Sequence, residues 1–364
     1  MRIIRRSTML FRSLPARRTG ITLALATTLA VSVVPAATAD DLAPTNNASG
    51  STSSLEGVAN IPTLRTIFPG ASPYSDSTEN NVVAFGDSFT ANSHWLVNDY
   101  PVLAAQYPRQ AGCLTAPDAW PAMLGVATGR PVQNWACNAH TTSQMLGRID
   151  QAIAAGHVND TSLVVLAAGM NDKRRGVSDA KVVENLVAGV EKVRSAAPKA
   201  QIVLLGRLAT TDANGVFCST NVLPNRPTGN VDRTTANYEA ATQANQKEAA
   251  KQANVQFIDI RDMTMLGNST CAPDADRYVS GNRDYTTPGF NMNAHPSIAG
   301  SQFLAAQIVA FLGRDAAEQI LEFIEDADLE NTPVIGDVAD ALTDVAEEDA
   351  EEDAEEDAEE EAES

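Results

Sequence analysis

Five short apolar runs, separated by stretches of helical periodicity, constrain this chain more than any other feature. They are Val82–Phe85, Val132–Ala136, Leu163–Ala168, Ile202–Leu205 and Val255–Ile258. Each has strand length and is bounded by turn-forming residues, and most are rich in Val, Ile and Leu. Helices are expected near residues 117–128, 143–155, 179–197 and 233–253. In the third of these Val182, Val183, Leu186, Val190 and Val193 recur at helical spacing. A last helix is expected from Ile298 through Phe311 to about Phe323. Strands that alternate with helices pair in parallel and are covered on both faces. The expected class is therefore α/β, with a mainly parallel central sheet of about five strands.

The core occupies residues 81–324, enough for one domain of this kind. The two ends are different material. Residues 1–39 read as an export segment: six arginines and no acidic residue, the apolar run Ile21–Val34, then Ala37-Thr38-Ala39 as a cleavage pattern. Arg17-Arg18 lacks the rest of a twin-arginine signal, so general export is expected. Residues 40–80 are rich in Ser, Thr, Asn and Pro and read as a flexible spacer. Residues 325–364 read as an acidic low-complexity tail; residues 341–364 alone hold 14 carboxylates and no basic residue. The formal net charge is −20. A strongly acidic body argues against nucleic-acid binding.

An exported chain with four cysteines is expected to hold two disulfides. Three connectivities are open. Pairing Cys113 with Cys137 and Cys218 with Cys271 closes two local loops, and the first would brace a loop next to the second predicted strand. No Cys-x-x-Cys pair and no cluster of histidines is present, so neither a metal site nor another cofactor is expected.

In parallel sheets ligands bind beyond the carboxyl ends of the strands. Four stretches fall at that edge: Gly86-Asp87-Ser88 after the first strand, Ala136-Cys137-Asn138-Ala139-His140 after the second, Gly169-Met170-Asn171-Asp172 after the third, and Asn291–Ser297 before the last helix. Taken alone, Asp87-Ser88 is equally a helix N-cap. Gly86-Asp87-Ser88, Gly169-x-Asn171-Asp172 and His295-Pro296, in this order, resemble three blocks of the SGNH (GDSL) hydrolase family. The resemblance covers roughly residues 81–315. The paired-cysteine layout is similar to that of secreted actinobacterial lipases and esterases of this family. The resemblance implies a three-layer α/β/α sandwich and metal-free ester hydrolysis through a serine.

On that reading Ser88 is the nucleophile and His295 its base. The Ser88 and Ala139 backbone N–H groups and the Asn171 side-chain amide would form the oxyanion hole. Two positions depart from the family. Ala139 stands where a glycine is usual; alanine serves there if φ is negative, whereas a positive φ would cost energy and count against the alignment at this block. Met292 stands where an aspartate is usual, three residues before His295. The Met292 backbone carbonyl is the expected orienter of the imidazole, with Asp284 a more remote substitute. Asp87 is expected to tie down its turn. His94 and His157 are expected at the surface or as satisfied histidines, and His140 as either a site-lining or a structural residue. Phe89, Trp95 and Trp135 are expected in the core or the pocket wall.

The leading function is a secreted serine esterase or lipase. Its expected partner is a small-molecule or lipid ester, with no nucleic acid, and it acts as a monomer outside the cell or at the cell envelope. A deacetylase or acyltransferase acting on cell-envelope acyl groups would use the same residues. A catalytically dead binding protein has only Met292 and Ala139 in its favour. The Gly-x-Ser-x-Gly elbow of the α/β-hydrolases is absent, since Thr90 occupies the position of its second glycine.

Overall fold

The computed structural model describes residues 72–326. The export segment, most of the spacer and the acidic tail beyond Asp326 lie outside the described residues. In chain order the elements are β1 (Val82–Gly86), α1 (Ser88–Ala91), α2 (Trp95–Asp99), β2 (Arg109–Gln110), β3 (Cys113–Leu114), α3 (Trp120–Thr128), β4 (Val132–Asn134), α4 (Thr142–Ala154), β5 (Leu163–Ala167), α5 (Met170–Arg174), α6 (Asp179–Ala196), β6 (Gln201–Leu205), β7 (Val216–Asn221), β8 (Thr228–Val231), α7 (Arg233–Ala253), β9 (Gln256–Ile258), α8 (Arg261–Met265), β10 (Arg283–Asp284) and α9 (Ile298–Asp326).

The central sheet has five parallel strands in the order β4-β1-β5-β6-β9. These are the five apolar runs of the sequence. Both faces are covered, because alternate residues of each strand bury into different layers. On one face Val83, Phe85, Val164, Leu166 and Leu204 pack with Ile149 of α4, Leu186 and Val190 of α6 and Ala249 of α7. On the other Val82, Ala84, Leu163, Val165 and Leu205 pack with Trp120 and Leu124 of α3 and Leu304, Ile308 and Phe311 of α9. The result is the expected three-layer α/β/α sandwich.

The strand order places the site. From β1 the chain moves to β4 on one side, then returns to β5 on the other, so the order reverses at β1. The crevice at such a reversal is where ligands bind. Gly86 of β1 is level with Ala167 of β5, so the segments that follow both strands leave the sheet side by side.

Two smaller sheets, β10-β7-β8 and the β2-β3 hairpin, have no counterpart in the sequence reading. The spacer also ends earlier than its composition implies. Ser75 N–H donates to the Val132 carbonyl at 3.0 Å, and Gln133 Nε2 donates to the Ser75 carbonyl at 2.7 Å. The segment just before β1 is thus laced to the β4 edge.

Candidate active site

Ser88 opens α1, two residues beyond the end of β1. Gly86 makes the exit from the strand feasible: a Cβ there would lie 2.6 Å from the Ala167 carbonyl oxygen and against the Thr90 hydroxyl. Asp87 caps the helix, its Oδ1 accepting from Phe89 N–H at 2.9 Å. Capping therefore falls to Asp87, which leaves the Ser88 hydroxyl available for another partner.

That partner is His295, whose Nε2 lies 2.7 Å from Ser88 Oγ. The other ring nitrogen, Nδ1, lies 2.8 Å from the Asn293 carbonyl oxygen. A carbonyl can only accept, so Nδ1 carries the hydrogen and Nε2 presents its lone pair to the hydroxyl. Here the sequence expectation is corrected by one residue. Ala294 is left-handed, with φ +57°, and this local reversal brings the Asn293 carbonyl to the ring. The Met292 carbonyl instead accepts from Ser280 Oγ at 2.9 Å, and the Met292 sulfur lies 3.6 Å from Asn98 Nδ2. Asp284 is not a substitute either. Its carboxylate accepts from Asn221 Nδ2 at 2.9 Å, Gly281 N–H at 2.7 Å and the Thr287 hydroxyl at 2.7 Å, which ties the turns on either side of β10 to the end of β7.

The histidine loop is held from both sides. Ala294 N–H donates to the Gly281 carbonyl and Ser280 N–H to the His295 carbonyl, each at 3.1 Å. Asn92, the left-handed C-cap of α1, reaches across to donate to the Pro296 carbonyl at 3.1 Å. The helix that carries Ser88 thus also grips the loop that carries His295.

Beneath the pair lies a stack. The Phe89 ring is 5.1 Å from the His295 ring, and the Arg207 guanidinium sits 3.2 Å above the Phe89 centroid. Burial of the imidazole pushes its pKa down from 6.5 to about 4; the Asn293 carbonyl opposes this, and the positive charges of Arg207 and Arg174 add to it. At neutral pH the ring is a neutral base. Burial pushes the Asp87 carboxyl up, opposed by the nearby Arg207 charge. Sequence reasoning missed Arg207. Its only signal is its place two residues after β6, at the same sheet edge as Ser88.

Asn171 is the second residue of α5, which Gly169 starts with φ +144°. Its Nδ2 donates to the His140 carbonyl at 3.0 Å and approaches Asp87 Oδ2 at 3.3 Å. Asp172 is fully buried and accepts from Thr142 N–H at 2.8 Å and from the Thr142 hydroxyl at 2.7 Å, locking α5 to α4. Ala139 has φ +61°, against the sequence requirement of a negative value. In that region a Cβ crowds the following carbonyl and costs about 1–2 kcal/mol. Among the described residues neither the Ser88 nor the Ala139 N–H has a hydrogen-bond acceptor.

Two of the remaining histidines are internal rather than superficial. His94 caps α2 by accepting from Leu96 N–H at 3.1 Å, and His157 accepts from Trp135 Nε1 at 3.1 Å. Phe89 and Trp135 are buried; Trp95 is exposed. Cys113 is bonded to Cys137 and Cys218 to Cys271. Among the described residues the one grouping with ligand atoms close enough for a metal is Cys113, Cys137 and His140. With both sulfurs in a disulfide only one imidazole is left as donor, which does not fit a metal centre. No described helix is long and apolar enough to cross a membrane.

The site is thus a hydrogen-bonded serine and histidine at the switch point of a doubly wound parallel sheet. The match to the GDSL-like lipase/acylhydrolase family runs over residues 84–303, and the chain belongs to that family. Similar solved structures include phospholipase A1 from Streptomyces albidoflavus NA297, at 20% identity over 63% of this chain and 97% of that one, with a TM-score of 0.44. An extracellular lipase from Streptomyces rimosus matches at 18% identity over 63% of this chain and 98% of that one, TM-score 0.41. A lipase/acylhydrolase from Enterococcus faecalis matches at 18% identity over 64% and 94%, TM-score 0.41. No curated protein matches the chain.

Proposed function

We propose that the protein is a secreted serine esterase or lipase that cleaves carboxylic esters through an acyl-enzyme on Ser88. The observation that carries this reading is the relay from Ser88 Oγ to His295 Nε2 at 2.7 Å and from Nδ1 to the Asn293 carbonyl at 2.8 Å. Ser88 attacks the ester carbonyl carbon while His295 takes the hydroxyl proton. The resulting imidazolium is held by the Asn293 carbonyl, which fixes the tautomer but offers no full negative charge. The oxyanion receives the unpartnered N–H groups of Ser88 and Ala139. The Asn171 amide joins them by giving up its longer contact, 3.3 Å to Asp87. Collapse expels the alcohol with the proton from His295. Water, deprotonated by the same imidazole, then attacks the acyl-enzyme and frees the acid.

Export is supported by two disulfides, which favour an oxidising compartment. The test is hydrolysis of nitrophenyl esters from acetate to palmitate, beside acetylated sugars, by wild type, Ser88→Ala and His295→Ala. Both variants are expected to lose nearly all turnover with an unchanged fold by circular dichroism. Full activity in either refutes the mechanism. Turnover confined to acetylated sugars would move the reading to a carbohydrate deacetylase.

A further inference from the structure

Ala139 holds a conformation that its own side chain opposes, and it does so on the surface, where packing cannot enforce it. Something outside the loop must hold it there. The Arg175 guanidinium does this with two of its donors. One, Nη2, donates to the Ala139 carbonyl at 2.8 Å; the other, Nη1, donates to Gln144 Oε1 at 3.0 Å. Gln144 is itself fixed, because its side chain and that of Thr141 form the capping box of α4. The next carbonyl along, that of His140, is held by Asn171 Nδ2 at 3.0 Å. Two successive carbonyls of the loop are therefore gripped from α5 and the residue that follows it, while Cys137 is tied down by its disulfide.

We propose that Arg175 is a positioning residue for ester hydrolysis. By holding the Ala139 carbonyl it keeps this residue left-handed, and so keeps the unpartnered Ala139 N–H in the orientation that an oxyanion needs. This rests on the esterase reading of Ser88 above. Arg175 makes no hydrogen bond to Ser88 or His295, so it acts only through the loop. A lysine cannot reproduce the action, since a single ammonium does not span the Ala139 carbonyl and the Gln144 amide with a rigid fork. Glycine at 139 would adopt the left-handed conformation without the crowding that alanine suffers, and would depend less on the arginine.

The test is a kinetic cycle on a soluble nitrophenyl ester with wild type, Arg175→Ala, Arg175→Lys, Ala139→Gly and the double variant Arg175→Ala/Ala139→Gly. An oxyanion donor acts in the transition state and not on bound substrate. Arg175→Ala and Arg175→Lys are therefore expected to lower kcat by about tenfold with KM within about twofold of wild type. Adding Ala139→Gly to Arg175→Ala should recover at least about threefold in kcat, whereas a purely structural surface contact would shift the melting temperature alone. The proposal is overturned if Arg175→Ala keeps kcat within about twofold of wild type, or if glycine at 139 recovers nothing. Ser88→Ala separates the two levels. An inactive Ser88→Ala beside a fully active Arg175→Ala removes the clamp alone, and an active Ser88→Ala removes the esterase reading and the clamp with it.

Discussion

The acid limb of the pH–rate profile tests the chemistry of the Ser88–His295 pair most directly. Only a neutral imidazole can take the Ser88 proton, so kcat/KM should fall as His295 titrates in the free enzyme. Burial, with Arg207 and Arg174 nearby, pushes that titration from 6.5 down to about 4. At pH 5 about nine-tenths of the rings would then be neutral, against about 3% for a histidine titrating at 6.5, a difference of about thirtyfold in kcat/KM. The assay is kcat/KM on a short, soluble, non-ionising ester from pH 4 to 8. Product is measured after quenching to one common pH.

A midpoint at or above pH 6 would refute the argument, because the partly buried, cation-flanked ring could not then be the group that limits the rate. The cause can be separated as well. Arg207→Met removes the charge and keeps an apolar side chain over Phe89. The two charged groups that act on the ring are Arg207 and Arg174. Removing the first deletes a repulsion on the ring, which favours imidazolium. The midpoint should rise. A midpoint that stays put would mean that desolvation sets the titration and the arginine contributes nothing.

Two further substitutions have definite expectations. Met292→Asp should not improve the enzyme. The side chain at 292 faces Asn98, while His295 Nδ1 is already engaged by the Asn293 carbonyl; a rise in kcat of about tenfold would show that a carboxylate can displace that carbonyl. Asp284→Asn should lower stability by about 2–4 kcal/mol in urea melts at pH 7, because it puts an amide hydrogen where a buried carboxylate accepts from Asn221, Gly281 and Thr287. Burial alone would raise the Asp284 pKa, but those donors prevail and hold it below the usual value. Its contribution is therefore present above the usual carboxylate pKa and fades only as pH falls through the depressed one. Equal melts for variant and wild type at pH 7 would refute this account of the loop.

The sheet could be read from the sequence because its strands are buried on both faces. Burial on both faces demands unbroken runs such as Leu163–Ala167. The other sheet strands, such as β7 with its half-buried Val216–Asn221, carry mixed residues whose pairing is decided by Asn221 and Asp284, far apart in sequence. The site divides along the same line. Ser88, Asn171 and His295 were legible because side-chain chemistry restricts those positions to a few residue types. The orienting group was not, because every residue has a carbonyl: which one meets the imidazole depends on the left-handed turn at Ala294, and alanine advertises no such turn. Ala139 poses the same problem in reverse. Its sequence position called for a glycine or a negative φ, yet it has φ +61° as alanine. A strained residue that persists must be held by its surroundings. The sequence marked position 139 as a departure from the family pattern but could not reveal that the Arg175 guanidinium, 36 residues further on, holds its carbonyl.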